Sequence, residues 1–152
     1  ALILACLEIS LGLNGPWNLL VKNKLMPTII PHLWFDKEAK AASEFYVSLF
    51  PNSKINTVRT IKDTPSGDCD IVSFTLWGQP FMSISAGPYF TFNPSTSFMV
   101  NFDPSQDPEA AKHLDEVWTK LMDGGKALME IGEYPFSKRY GWVQDNMVCR
   151  GN

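Results

Sequence analysis

The chain has 152 residues, 45% of them hydrophobic and 19% charged, which suits one globular core and excludes wholesale disorder. With 13 basic against 16 acidic residues the net charge is −3. Nucleic-acid readers carry a basic surplus that displaces counterions, so no nucleic-acid partner is expected. Cys6, Cys69 and Cys149 lie far apart without a C-x-x-C spacing, which predicts neither a disulfide framework nor a zinc knuckle and makes a reducing, cytoplasmic setting the expectation. No apolar run reaches the ~18 residues of a membrane span, so no membrane partner is expected.

Residues 1–25 read as an N-terminal extension outside the domain. Ala1–Leu7 is apolar, but no basic stretch precedes it as in a signal peptide. Asn14-Gly15-Pro16 marks a turn. The domain is expected over 26–152.

Regular patterning starts at Thr28. Thr28–Phe35 reads as a strand, and Asp36 suits the N-cap of a following helix. Ala39, Ala42, Phe45, Tyr46, Leu49 and Phe50 recur at helical spacing, and Pro51 ends the run. Three strands follow. Lys54–Lys62 alternates, Asp63–Asp70 reads as a loop, and Ile71–Trp77 alternates with Val72, Phe74 and Leu76 on one side. Gly78-Gln79 reads as a tight hairpin leading into Pro80–Ala86, with Met82 and Ile84 pointing inward. Together these elements form a first module over about 28–86.

The opening then recurs. Ser97–Phe102 ends in Phe102-Asp103, as the first strand ends in Phe35-Asp36. A helix is predicted from Asp107-Pro108, an N-cap followed by proline at the first helical position. Its apolar face is Ala111, Leu114, Val117, Trp118, Leu121 and Met122, and Gly124-Gly125 closes it. Lys126–Ile131 and Tyr140–Gln144 read as strands. The economical explanation is a duplicated βαβββ unit, with a second module over about 97–152. The fold class is therefore α+β: tandem βαβββ modules forming curved mixed sheets around a cleft. The second copy runs out about one strand early, because Asn146–Asn152 shows no alternation. Its last strand is missing or altered, which leaves an open edge for the N-terminal extension or a second subunit to cover.

Several motifs, taken with this duplication, resemble the vicinal-oxygen-chelate superfamily (glyoxalase, bleomycin resistance). They are Pro31–Asp36, Ala42–Pro51 (A-S-E-F-Y-V-S-L-F-P), Gly78-Gln79-Pro80-Phe81, Ala86–Asn93 (A-G-P-Y-F-T-F-N) and Tyr134–Asp145 (Y-P-F-S-K-R-Y-G-W-V-Q-D). More narrowly they resemble its PhnB-like branch, which carries the label 3-demethylubiquinone-9 3-methyltransferase. The match stops after Asp145, where that branch continues with a further strand.

The resemblance implies a divalent metal held by His and Glu side chains, and a catalytic metal needs about three protein donors. His32 is the one imidazole near the family's ligand position. The spacing that carries Asp36 to Asp103 carries His32 to Met99, a thioether unsuited to a hard cation. No metal or other cofactor is therefore assigned, and His32 is expected as a hydrogen-bonded pocket or core residue. His113 is expected on the solvated face of the second helix. Methyl transfer from S-adenosylmethionine commonly uses a glycine-rich strand-to-helix turn, and none follows a strand here, so the methyltransferase label is not adopted. The expected function is small-molecule binding in an aromatic cleft, with no reaction assigned, by a protein acting as a homodimer. Its lining is expected to be Trp34, Phe74, Met82, Phe98 and Trp142, with Tyr89, Phe90 and Phe92 covering its mouth or a subunit contact. Lys138 and Arg139 are expected as a solvated basic pair. The alternative is a metal-dependent lyase, isomerase or dioxygenase using His32.

Overall fold

The computed structural model describes the backbone of residues 2–7 and of 29–149, with side chains described over 29–147. In chain order the elements are β1 (Leu2–Leu7), β2 (His32–Phe35), α1 (Ala39–Leu49), β3 (Lys54–Thr64), β4 (Gly67–Leu76), β5 (Gln79–Ser85), β6 (Phe98–Asn101), α2 (Ala110–Met122), β7 (Lys126–Tyr134), β8 (Ser137–Gln144) and α3 (Asn146–Cys149). They form two mixed sheets, ordered β2-β5-β4-β3 and β6-β1-β8-β7.

The duplication is visible in the sheet orders. In the first sheet β5 lies parallel to β2 and antiparallel to β4. In the second sheet β1 holds the corresponding place, parallel to β6 and antiparallel to β8. Phe35 and Phe102, matched by the repeat, are both buried, each 4% exposed. The short helix α3 follows β8, and the place between β6 and β8 is held by Leu2–Leu7.

Each helix covers one face of its sheet. Ala39, Ala42, Tyr46 and Leu49 of α1 are buried, as their spacing predicts. Ser43 is buried as well, because its hydroxyl donates to the Ala39 carbonyl at 2.7 Å and lies 2.7 Å from Ser83 Oγ of β5. On α2 the buried residues are Ala110, Leu114, Val117, Trp118 and Leu121, so Ala110 takes the place expected for Ala111. Trp118 lies against Gly141 of β8, where a Cβ would come within 2.5 Å of its ring.

Four local expectations are corrected. Asp36 does not cap α1; the Ala39 amide donates instead to Ser85 Oγ at 3.1 Å, so the adjacent strand does the capping. The stretch 63–70 is the tip of a hairpin, not an open loop, because β3 and β4 extend to a turn at Pro65-Ser66. The β4–β5 turn is Trp77-Gly78, not Gly78-Gln79. Both its residues have positive φ, 48° and 81°, as a two-residue hairpin following the strand twist requires. Finally, Met82 and Ile84 do not face the core. The pairs Phe74↔Phe81 and Val72↔Ser83 set the helix-covered face, which leaves Met82 and Ile84 on the other with Ser73 and Ile71.

Candidate functional site

A cavity of about 380 Å³ opens between the helix-covered face of the first sheet and β6. That size is within the range of small-molecule sites. Leu33 of β2, Phe74 and Leu76 of β4, Phe81 of β5 and Tyr46 of α1 wall one side, and Phe98 and Val100 of β6 the other. Strand alternation explains the selection: Leu33, Phe74 and Phe81 share the face turned toward α1. The rings are mutually braced. Phe74 stacks on Phe81 at 5.5 Å, and Phe81 meets Phe98 edge-on at 5.4 Å, across the two sheets.

Trp77 closes the rim. Its ring lies 5.3 Å from Phe50 and 5.7 Å from Phe102. A bulky residue at positive φ is costly, of order 1–3 kcal/mol, and persists where its surroundings over-determine it. Here the ring contacts with both modules hold it. The sequence reading missed Trp77 by placing the turn one residue late; the signal was available in a large aromatic directly before Gly78.

Polar groups near the cavity are few. Gln79 and Asn101 are exposed residues of the lining. The Tyr46 hydroxyl donates to Asp145 Oδ1 at 3.2 Å, and both residues are buried. Burial pushes the Tyr46 hydroxyl well above the ordinary tyrosine value, and the Asp145 charge and hydrogen bond push it further the same way. Tyr46 thus holds its proton and serves as a donor, not as a base.

The residues expected to line one cleft are distributed over two faces. Phe74 and Phe98 line the cavity. Trp34 and Met82 lie on the opposite face of the first sheet with His32. Trp34 donates its indole N–H to the Gly87 carbonyl at 2.8 Å and meets Phe90 edge-on at 5.0 Å. Phe90 is 66% exposed, while Phe92 packs on Phe35 at 5.1 Å. Trp142 faces away from the buried Val143 on β8, and its indole N–H is buried with no hydrogen bond among the described residues.

His32 is exposed, not the pocket or core residue expected, and so is its repeat partner Met99. Among the described residues no three His, Cys, Asp or Glu side chains are grouped to hold a metal ion. The described donors around His32 therefore do not fit the superfamily's metal, and no chemistry is routed through one. His113 is tied to Asp107, its Nδ1 lying 2.6 Å from Oδ2, so it is not simply solvated. Arg139 is paired as well, donating through Nε to Asp115 Oδ1 at 2.7 Å. Lys138 is exposed. No described helix is long and apolar enough to cross a membrane.

A βαβββ module and a second module, βαββ with β1 completing its sheet in the same order, joined by an aromatic contact zone, define a paired-module protein of the vicinal-oxygen-chelate type. The family described as 3-demethylubiquinone-9 3-methyltransferase matches residues 27–148, and the chain belongs to this PhnB-like family. The chain is similar to a solved structure from Bacillus cereus titled "Putative 3-demethylubiquinone-9 3-methyltransferase, PhnB protein". Their sequences are 33% identical, the TM-score is 0.68, and the match covers 80% of this chain and 94% of that one. The protein PA1353 from Pseudomonas aeruginosa shares the fold, with 18% identity and a TM-score of 0.63 over 81% of this chain and 92% of that one. No curated protein matches the chain.

Proposed function

We propose that the protein binds a small, largely apolar or aromatic molecule in the cavity between the first sheet and β6. The observation that carries this reading is the cavity itself: about 380 Å³, walled by Leu33, Phe74, Phe81, Phe98 and Val100. Apolar walls of this kind exclude ordered water and gain dispersion contacts when filled, so a flat hydrocarbon surface is the matching ligand. Gln79 and Asn101 supply hydrogen-bonding groups for a single polar substituent at the rim.

No reaction is assigned. The methyltransferase wording belongs to the family's name, and no glycine-rich strand-to-helix turn supports it in this chain. A metal-dependent lyase, isomerase or dioxygenase would need donors that are not grouped near His32 among the described residues. We also propose that the protein acts as a homodimer. Support comes from the exposed Tyr89 and Phe90, two aromatics that water alone covers poorly.

A melting-temperature screen with indole, naphthol and short alkyl-benzoates tests the binding reading, since a ligand specific to the folded state raises the midpoint with concentration. A saturable rise that disappears in Leu76→Trp, which fills the cavity, is the expected result. A rise of equal size in that variant places binding elsewhere and contradicts the reading. Sedimentation equilibrium tests the homodimer: a single monomeric species at micromolar concentration rejects it.

A further inference from the structure

The second sheet has the order of the first only because a segment from outside its module completes it. β5 is the strand directly following β4, whereas β1, between β6 and β8, precedes the whole first module in the chain. It is nonetheless paired on both sides. Ile3–Cys6 run parallel to Phe98–Asn101, and Leu2–Leu7 run antiparallel to Arg139–Gln144. α2 packs against β1 as well as β8. Without this segment, β6 and β8 would each present a row of unpaired backbone N–H and C=O groups beside a buried core that includes Val143.

We propose that the place between β6 and β8, which Leu2–Leu7 occupies, is a strand-binding groove that accepts this segment whether or not it is covalently joined to the rest of the chain. The segment L-I-L-A-C-L suits such a groove because it carries no proline and no charge, so every residue can donate to a ladder and none carries an ion into the sheet. The groove recognises an extended apolar peptide by main-chain hydrogen bonds, as strand-addition sites do. The ladder pairs run through Leu2–Leu7 alone among the described residues, and being part of the same chain raises the segment's local concentration at the groove. The same peptide offered separately therefore fits the same groove.

Hydrogen exchange on the full chain is the first test. The amides of Met99–Asn101, and those of β8 turned toward β1, exchange slowly if the segment is seated; exchange at the rate of exposed β3 amides overturns the proposal. The second test uses the full-length Ala5→Pro variant, in which the segment's ladder is broken at its centre. Its melting temperature falls by about 10 °C, and a synthetic peptide of residues 1–8 restores at least half of that fall, while a scrambled peptide does not. An Ala5→Pro protein that melts with the wild type, or that the native peptide fails to restore, defeats the groove. Where Ala5→Pro does not fold alone, recovery of soluble protein on refolding with the peptide is the readout, and equal recovery without it counts against the proposal.

Discussion

Tyr46 of α1 donates its hydroxyl to Asp145, the residue that follows β8, at 3.2 Å, and so ties the first module's helix to the last strand of the second. Asp145 also accepts from the Met147 amide at 2.9 Å, which anchors the first turn of α3. Tyr46→Phe removes one donor from a buried carboxylate and is expected to cost about 1–3 kcal/mol by denaturant unfolding. The pH dependence carries the sign. The native hydroxyl ionises well above the ordinary value near 10. The stability it confers is therefore complete below pH 10 and is lost as pH rises from there through the native value. The difference between wild type and Tyr46→Phe should shrink above pH 10. A difference that stays constant to pH 11 contradicts the assignment.

Asp107 precedes α2 and accepts from the Glu109 amide at 2.9 Å while contacting His113 Nδ1. The hydrogen bond from His113, followed by that from the Glu109 amide, holds its carboxyl below the ordinary aspartate range. A lowered native value means that the stabilisation is present above the unfolded value near 4 and vanishes as pH falls through the native one. Asp107→Asn should therefore be less stable than wild type at pH 6, and the two should converge as pH falls below the ordinary aspartate value. Unfolding curves across that range decide it. Parallel curves throughout would mean that the contacts of Asp107 with His113 and the Glu109 amide do not stabilise the fold.

Gly141 is required by contact with Trp118, since a Cβ there would lie 2.5 Å from the ring. Gly141→Ala should destabilise the protein by about 1–3 kcal/mol through overpacking. Adding Trp118→Leu should recover part of that loss, measured as a non-additive double-mutant cycle. Additive effects would mean that the two residues do not meet.

Trp77 combines an unfavourable backbone conformation with contacts to Phe50 and Phe102. Trp77→Asn gives the turn the Asn-Gly sequence that its geometry prefers, and it opens the cavity rim. The expected outcome is a small change in melting temperature, within about 3 °C, with affinity for indole weakened about tenfold. Unchanged affinity on calorimetry would take Trp77 out of the site.

The duplication was legible because its signals are periodic: apolar faces at helical spacing, strand alternation, and the repeated Phe-Asp pair at Phe35-Asp36 and Phe102-Asp103. The break in strand patterning after β8 was legible because Asn146–Asn152 lacks alternation, and pairing of the open edge with the N-terminal segment was one of two options it allowed. The faces were harder to read. Alternation on β5 sets the apolar Met82 and Ile84 against Phe81, Ser83 and Ser85, and so favours the wrong face. The Ser43–Ser83 contact lets a serine stand on the core side, and only pairing with β4 reveals it. The buried Ser43–Ser83 contact was invisible for a related reason. Two hydroxyls that satisfy each other need no apolar signature. Trp34, Phe74, Met82 and Trp142 all read as cleft residues by composition, yet composition carries no information about which side of a sheet each occupies.

The most direct measurement is amide chemical-shift mapping with indole added to the full-length protein. The account predicts saturable shifts centred on Leu33, Leu76, Phe81, Phe98 and Val100, around the cavity between the two modules. Shifts centred on Trp34, Met82 and Trp142, or none at millimolar ligand, would contradict it.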